Sequence, residues 1–304
     1  MSPADRPPQS NGPRGGREAP AAAGATIGLV AGNGVFPLLF AREAKARGLR
    51  VVAVAHRGET DEAIEGAVDE LTWVRVGQLG RMIRALRDGG VTQAVMAGGV
   101  HKVRSLAQVR PDLRGILFLR RAMAAGGQGD DALLRALAAE FEGEGIRIVP
   151  STIFLDRLLA TRGLLAGPRP GSQVLADVRL GCRVLEALGE VDVGQGVVVE
   201  RGVVLAVEAV EGTDEAIRRG GRLGRGEAVV VKLAKQGQDM RFDVPAVGPV
   251  TIATMASAGA KVLAVEAGAT LLLDREALLA AAAAAGISVL GCSRHGDASG
   301  GSGG

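Results

Sequence analysis

The stretch Thr26-Ile-Gly-Leu-Val-Ala31 runs directly into Gly32-Asn33-Gly34 and then into a helical pattern from about Pro37 to Arg47. An uncharged apolar run of this length reads as a strand buried on both faces, and the glycines after it as a tight turn. The same alternation continues outward. Val51–Ala55 and Leu71–Val76 are further strands, and Leu79 to Arg87 sets Met82, Ile83 and Leu86 on one stripe of a helix. Ala94–Ala97 is a fourth strand, ended by Gly98-Gly99. Helices are predicted around Leu113–Ala124 and Asp131–Glu142, then a strand at Ile146–Val149. Strand–helix alternation with nearly continuous apolar strands predicts an α/β fold, with a parallel sheet covered on both faces over residues 25–154.

The segment 155–172 carries one short helix and a Gly/Pro-rich run (GPRPG, 167–171), so it is read as the linker. A second domain, 173–292, has a different rhythm. A helix near Val174–Leu188 precedes strands Val197–Val199 and Val203–Val207, whose spacing around Glu200-Arg201-Gly202 predicts an antiparallel hairpin. A helix starts near Thr213, a strand covers Ala228–Leu233, and a polar loop runs from Ala234 to Gly248. Strands at Val262–Val265, Leu271–Leu273 and Ile287–Leu290, with helices between them, complete an α/β domain with a mixed sheet. Residues 1–24 and 293–304 lack an apolar period and are expected to be disordered, their removal leaving activity unchanged.

Composition narrows the function. The 304 residues fit two domains at ~150 each. Six Phe, one Trp and no Tyr exclude stacked aromatic platforms for single-stranded nucleic acid, and an aromatic carbohydrate groove. A net charge of +3, from 36 basic against 33 acidic residues, is too small to call for a polyanionic partner. Cys182 and Cys292 stand far apart, which supports neither a disulfide framework nor a cysteine zinc site. The N-terminus has no secretory apolar core, and Leu278–Leu290 is short of the ~20 residues a spanning helix needs. A soluble cytoplasmic protein is therefore expected, with contact at a membrane surface left open.

Several clusters carry chemistry. Gly32-Asn33-Gly34, between a strand and a helix, would let an anion approach backbone N–H groups, or is simply a tight turn. A dinucleotide fingerprint would want glycine where Pro37 stands and an acid where Ala55-His56-Arg57 stand, so NAD(P) binding is not expected. Gly129-Asp130-Asp131 opens a helix, where Asp130 suits a cap and Asp131 the positive end of the dipole. Glu208, Glu211 and Asp214 crowd a strand end beside Gly212 and Thr213, more carboxylates than one cap requires. The strongest segment is Lys232-Leu-Ala-Lys235-Gln-Gly-Gln238-Asp239-Met-Arg241-Phe-Asp243-Val-Pro245. Asp239 and Asp243 are hard oxygen ligands suited to Mg²⁺ beside a phosphate, and Lys232, Lys235 and Arg241 can balance a diphosphate.

At these residues the sequence resembles the LpxI-type UDP-2,3-diacylglucosamine pyrophosphatases of lipid A biosynthesis. The resemblance rests on IGLVAGNGVFPLLFAREAKARG (27–48), VMAGGV (95–100), GDDALLRALAAEFEGEGI (129–146), DVGQGVVVERGVVLAVEAVEGTDEAIRR (192–219), QDMRFDVPAVG (238–248) and VEAGATLLLDRE (265–276). It implies a Rossmann-like N-terminal domain, a family-specific catalytic C-terminal domain, and a Mg²⁺-dependent hydrolase that holds its substrate between the two. The implied products are UMP and 2,3-diacylglucosamine 1-phosphate (lipid X). A homodimer and loose contact with the inner-membrane face are also implied. Asp243 matches the family's essential metal and catalytic position and Asp239 a supporting ligand, while Lys232, Lys235 or Arg241 is read as the cation that assists. Gly32 to Gly34, Gly129 to Asp131 and Glu211 to Asp214 match recurrent motifs of the family without a fixed individual role, and together with Lys235 and Gln238 they are the candidate substrate-binding residues. The chain departs from the pattern at Gln236-Gly237, where Lys-Pro is expected. The resemblance points to attack at the β-phosphorus, while the residues themselves leave both phosphorus atoms open. A nucleotide-sugar or lipid-binding protein without catalysis and an NADP-dependent oxidoreductase are the rival readings.

Overall fold

A computed structural model describes residues 24–99, 110–124, 130–191, 193–235, 239, 241–242 and 244–298. The N-terminal domain is built from β1 (Thr26–Ala31), α1 (Phe36–Ala46), β2 (Arg50–His56), β3 (Glu70–Val74), α2 (Leu79–Asp88), β4 (Gln93–Ala97), α3 (Leu113–Ala124), α4 (Asp130–Glu142) and β5 (Arg147–Ile148). Its sheet has the order β3-β2-β1-β4-β5 and every pair is parallel. The deciding stretch, β1, sits at the centre. Its side chains alternate between two cores because successive residues of a strand face opposite ways. Ile27, Leu29 and Ala31 join Phe40 and Ala41 of α1, while Val30 joins Met82, Ile83 and Leu86 of α2 and Phe141 of α4. Both faces are therefore dry, which is why the strand reads as an unbroken apolar run.

The C-terminal domain contains β6 (Gly163–Ala166), α5 (Ser172–Gly189), β7 (Gly196–Glu200), β8 (Val203–Val207), α6 (Thr213–Leu223), β9 (Ala228–Lys232), β10 (Ala246–Val247), α7 (Pro249–Ala258), β11 (Ala260–Glu266), β12 (Leu271–Leu272), α8 (Arg275–Ala284) and β13 (Ser288–Cys292). Six strands form a mixed sheet in the order β6-β13-β11-β9-β7-β8. β9, β11 and β13 run parallel, and β7 and β8 form the expected antiparallel hairpin. α5 covers one face through Val178, Cys182 and Leu185, and α6, α7 and α8 cover the other through Ile217, Ile252, Met255 and Leu278.

Two boundaries differ from the sequence reading. The linker assigned to 155–172 contains β6, which pairs antiparallel with β13, so the second domain begins earlier than residue 173. The tail assigned as disordered from Ser293 is folded through Ala298. Ser293 N–H donates to the Asp297 carbonyl at 2.8 Å, and Ala298 packs on the core beneath α5. Residues 1–23 and 299–304 lie outside the described residues.

Candidate active site

In α/β sheets ligands bind beyond the carboxyl ends of the parallel strands. At that edge of the C-terminal sheet the chain places Lys232 at the end of β9, Glu266 at the end of β11, Glu208 just past β8, and Gln195 just before β7. Glu208 N–H donates to the Gly196 carbonyl at 2.8 Å, and Leu233 N–H to the Gln195 carbonyl at 3.0 Å, so both loops are pinned to the sheet.

Lys232 and Glu208 are only 6% and 8% exposed. Lys232 Nζ donates to Thr213 Oγ1 at 2.8 Å, and Thr213 Oγ1 donates to Glu208 Oε1 at 2.9 Å. Thr213 is the first residue of α6, so a buried cation sits at the positive end of a helix, where anions bind well. The second carboxylate oxygen, Glu208 Oε2, is buried and has no hydrogen-bond partner among the described residues. A Cβ on Gly196 would lie 2.5 Å from that oxygen, so only glycine leaves room for the carboxylate there. Of the three carboxylates whose crowding in the sequence suggests cation or ligand binding, Glu208 is the one buried in this network.

The loop after β9 leads back to the other domain. Asp239 binds the Arg241 guanidinium, with Oδ2 accepting from Nη2 at 2.7 Å and Oδ1 from Nε at 3.0 Å. Arg241 Nη1 also donates to Glu142 Oε1 of α4 at 3.2 Å. Phe242 packs into the N-terminal core beside α2 and α4, with the Arg241 guanidinium over its ring at 5.0 Å. Burial disfavours the ionised form of Asp239, but hydrogen bonds from the Arg241 side chain and backbone outweigh it. The carboxyl is held below its usual range.

Of the residues expected in the site, Lys232 and Thr213 come together, and Asp239 and Arg241 form a second group that ties the domains. Lys235 lies one residue past Ala234 on the same loop. Glu211 turns to Arg219 of the following helix α6, and its own backbone N–H and Arg219 hold its carboxyl low. Gly212 adopts φ +83° to start α6, and Asp214 sits in its first turn. Gly129, Gln238 and Asp243 lie outside the described residues, as do the side chains of Asp130 and Asp131.

Gly32 to Gly34 occupy the corresponding edge of the N-terminal sheet. Gly32 N–H donates to the Ala97 carbonyl at 2.8 Å and Asn33 N–H to the Gly99 carbonyl at 2.6 Å. A Cβ on Gly32 would stand 2.2 Å from the Gly99 carbonyl, so the two turns interlock only as glycines. Beside them an open cleft of 920 Å³ is lined by Asn33, Gly34, Arg57, Glu59, Asp61 and Trp73. β2 ends there in His56, whose Nδ1 lies 2.9 Å from the Ala31 carbonyl. Burial pushes the His56 imidazole below its ordinary value, against the pull of the Ala31 carbonyl and Glu59. An unfolded histidine takes up its proton near pH 6.5, the buried one only at lower pH, so folding stability declines as pH falls below about 6.5. This residue can contribute at most about 1.4 kcal/mol per pH unit. Urea midpoints at pH 7 and pH 5.5 are expected to differ less in His56→Gln than in the parent chain.

Asp243, the residue expected to hold Mg²⁺, lies outside the described residues. Among them no group of three His, Cys, Asp or Glu side chains converges, and Asp239, the expected supporting ligand, has both oxygens engaged by Arg241. A guanidinium in that position opposes a second cation. Among the described residues no helix is long and apolar enough to cross a membrane.

Comparison with known proteins gives these sites a family. The models of the LpxI N-terminal and C-terminal domains match residues 26–158 and 161–290. The chain belongs to the LpxI family. The UDP-2,3-diacylglucosamine pyrophosphatase LpxI of Caulobacter vibrioides is 36% identical over 276 residues, covering 87% of this chain and 96% of its own length. Among solved structures, the biotin carboxylase domain of Hydrogenobacter thermophilus 2-oxoglutarate carboxylase aligns with 67% of this chain and 43% of its own, at 13% identity. Its TM-score is 0.23. The two LpxI domain models meet between residues 158 and 161, just before β6, in keeping with that strand's place in the second sheet.

Proposed function

We propose that this chain hydrolyses the diphosphate of UDP-2,3-diacylglucosamine, water adding across the P–O–P bridge to give UMP and lipid X. The reading is carried by the relative of that name, which the chain matches over almost its full length and across both domains. The geometry supports it. Lys232 and the N-terminus of α6 present positive potential at one spot, where charge moving onto a phosphate leaving group needs it. Thr213 holds the Lys232 ammonium in place, and Glu208 anchors Thr213 in turn. Arg241, fixed by Asp239 and Glu142, supplies a second cation where the loop reaches the N-terminal domain. The acyl chains ask for an apolar surface, which this aliphatic composition provides without aromatics.

A Mg²⁺ requirement is part of the test. Release of UMP from UDP-2,3-diacylglucosamine is expected in equal amount to lipid X, measured with Mg²⁺ and after chelation. Water labelled with ¹⁸O marks the phosphorus attacked, the label entering lipid X for the β-phosphorus and UMP for the α-phosphorus. Binding of the substrate without turnover under either condition would favour the non-catalytic reading instead.

A further inference from the structure

The polar tail that follows β13 reaches back to the root of the loop after β9. Arg294 Nη2 donates to the Ala234 carbonyl at 3.0 Å and to Glu266 Oε2 at 3.1 Å, and Ala234 N–H donates to the same Glu266 oxygen at 2.9 Å. Both polar groups of Ala234 are thus held by one ion pair. Its side chains are mostly shielded, at 14% exposure for Glu266 and 29% for Arg294, where a charge-assisted hydrogen bond is stronger than in water. The tail is itself built to hold Arg294 there. Asp297 N–H donates to Ser293 Oγ at 3.0 Å, closing a short turn. Gly296, at φ +85°, lies so close to α5 that an added Cβ would stand 2.9 Å from the Arg179 Cα.

We propose that Arg294 is a positioning residue, which with Glu266 clamps the Ala234 peptide and so aims Lys235, the next residue, relative to the buried Lys232–Thr213 pair. Ala234 follows Lys232 and Leu233 directly, so a shift of its peptide moves Lys235 relative to the buried Lys232–Thr213 pair. Small misplacements of reacting groups cost up to ~100-fold in rate. The inference rests on the hydrolytic reading for its effect on turnover, but the clamp itself has an independent readout.

Full-length Arg294→Ala, Arg294→Lys and Glu266→Gln are compared with the parent chain for UMP release, Tm and hydrogen exchange at the Ala234 amide. In Arg294→Ala, kcat is expected to fall about tenfold or more with KM within about twofold, and Ala234 exchange to quicken about tenfold. Tm should move by only a few degrees. Arg294→Lys should recover part of kcat, since an ammonium keeps the charge on Glu266 but lacks the planar fork. Unchanged kcat and unchanged Ala234 exchange in Arg294→Ala would overturn the proposal. So would a loss of kcat matched by a collapse of Tm and faster exchange throughout the sheet. If the parent chain itself releases no UMP, the hydrolytic reading fails, and Ala234 exchange alone decides the clamp.

Discussion

Lys232→Met is expected to lower turnover by about a hundredfold or more, the scale seen when one donor to a developing negative charge is removed. The side chain is nearly as long but carries no proton to give, so the loss reports charge and not volume. Two effects must be separated. The substitution removes a cation from the phosphate seat, and it also leaves the Thr213–Glu208 pair buried without its ammonium. A buried charge that loses its support costs on the order of 1–3 kcal/mol of stability or more. The double variant Lys232→Met with Glu208→Gln removes the stranded charge. It is expected to recover most of the Tm but little of the kcat. Recovery of turnover along with Tm would show that Lys232 only holds the fold together, and would remove it from the proposed chemistry.

How much of this was visible beforehand depends on the distance over which each residue finds its partner. β1, β2 and β4 are buried on both faces, so local apolar runs sufficed to place them and to predict the parallel order. β6 escaped because it is a short strand, Gly163–Ala166, set among glycines and prolines and antiparallel to β13 at the sheet edge. Nothing in its own four residues distinguishes an edge strand from a linker. Lys232, Asp239 and Arg241 were legible as a charged segment. Their partners were not: Arg241 reaches Glu142 across 99 positions, and Lys232 reaches Thr213 across 19. The order of strands in the sheet brings Glu208 beside Lys232. Arg294 lay in a polar, glycine-rich tail whose composition reads as disorder, while its anchor Glu266 sits 28 positions earlier. Hydrophobic periodicity reports which face is buried, and it is silent on polar pairs made between loop ends.

Asp243→Ala is expected to lower turnover by roughly a thousandfold or more while leaving the chain folded. The motive is the expectation, from the resemblance of residues 238–245 to the family's QDxRxDxP segment, that Asp243 is the metal and catalytic position. At ~1.4 kcal/mol per tenfold in rate, such a loss corresponds to about 4 kcal/mol of transition-state stabilisation, within reach of a carboxylate that orients a reacting group. Its neighbour Phe242 packs in the N-terminal core, so the loop keeps that anchor when the carboxylate is removed. Asp239 offers the contrast that makes the result informative. Its carboxylate is engaged by Arg241, which also binds Glu142, so Asp239→Ala should act by releasing that arginine from its place between the domains. Asp239→Ala and Arg241→Ala are then expected to cost similar amounts, roughly ten- to a hundredfold, and the double variant little more than either alone. A direct metal ligand would behave otherwise: Asp239→Ala would shift the Mg²⁺ concentration needed for activity, and Arg241→Ala would add to it. Near-normal turnover in folded Asp243→Ala, assayed beside these variants, would sink the site assignment and move the search for the reacting group to Glu208 and its buried, unpartnered oxygen.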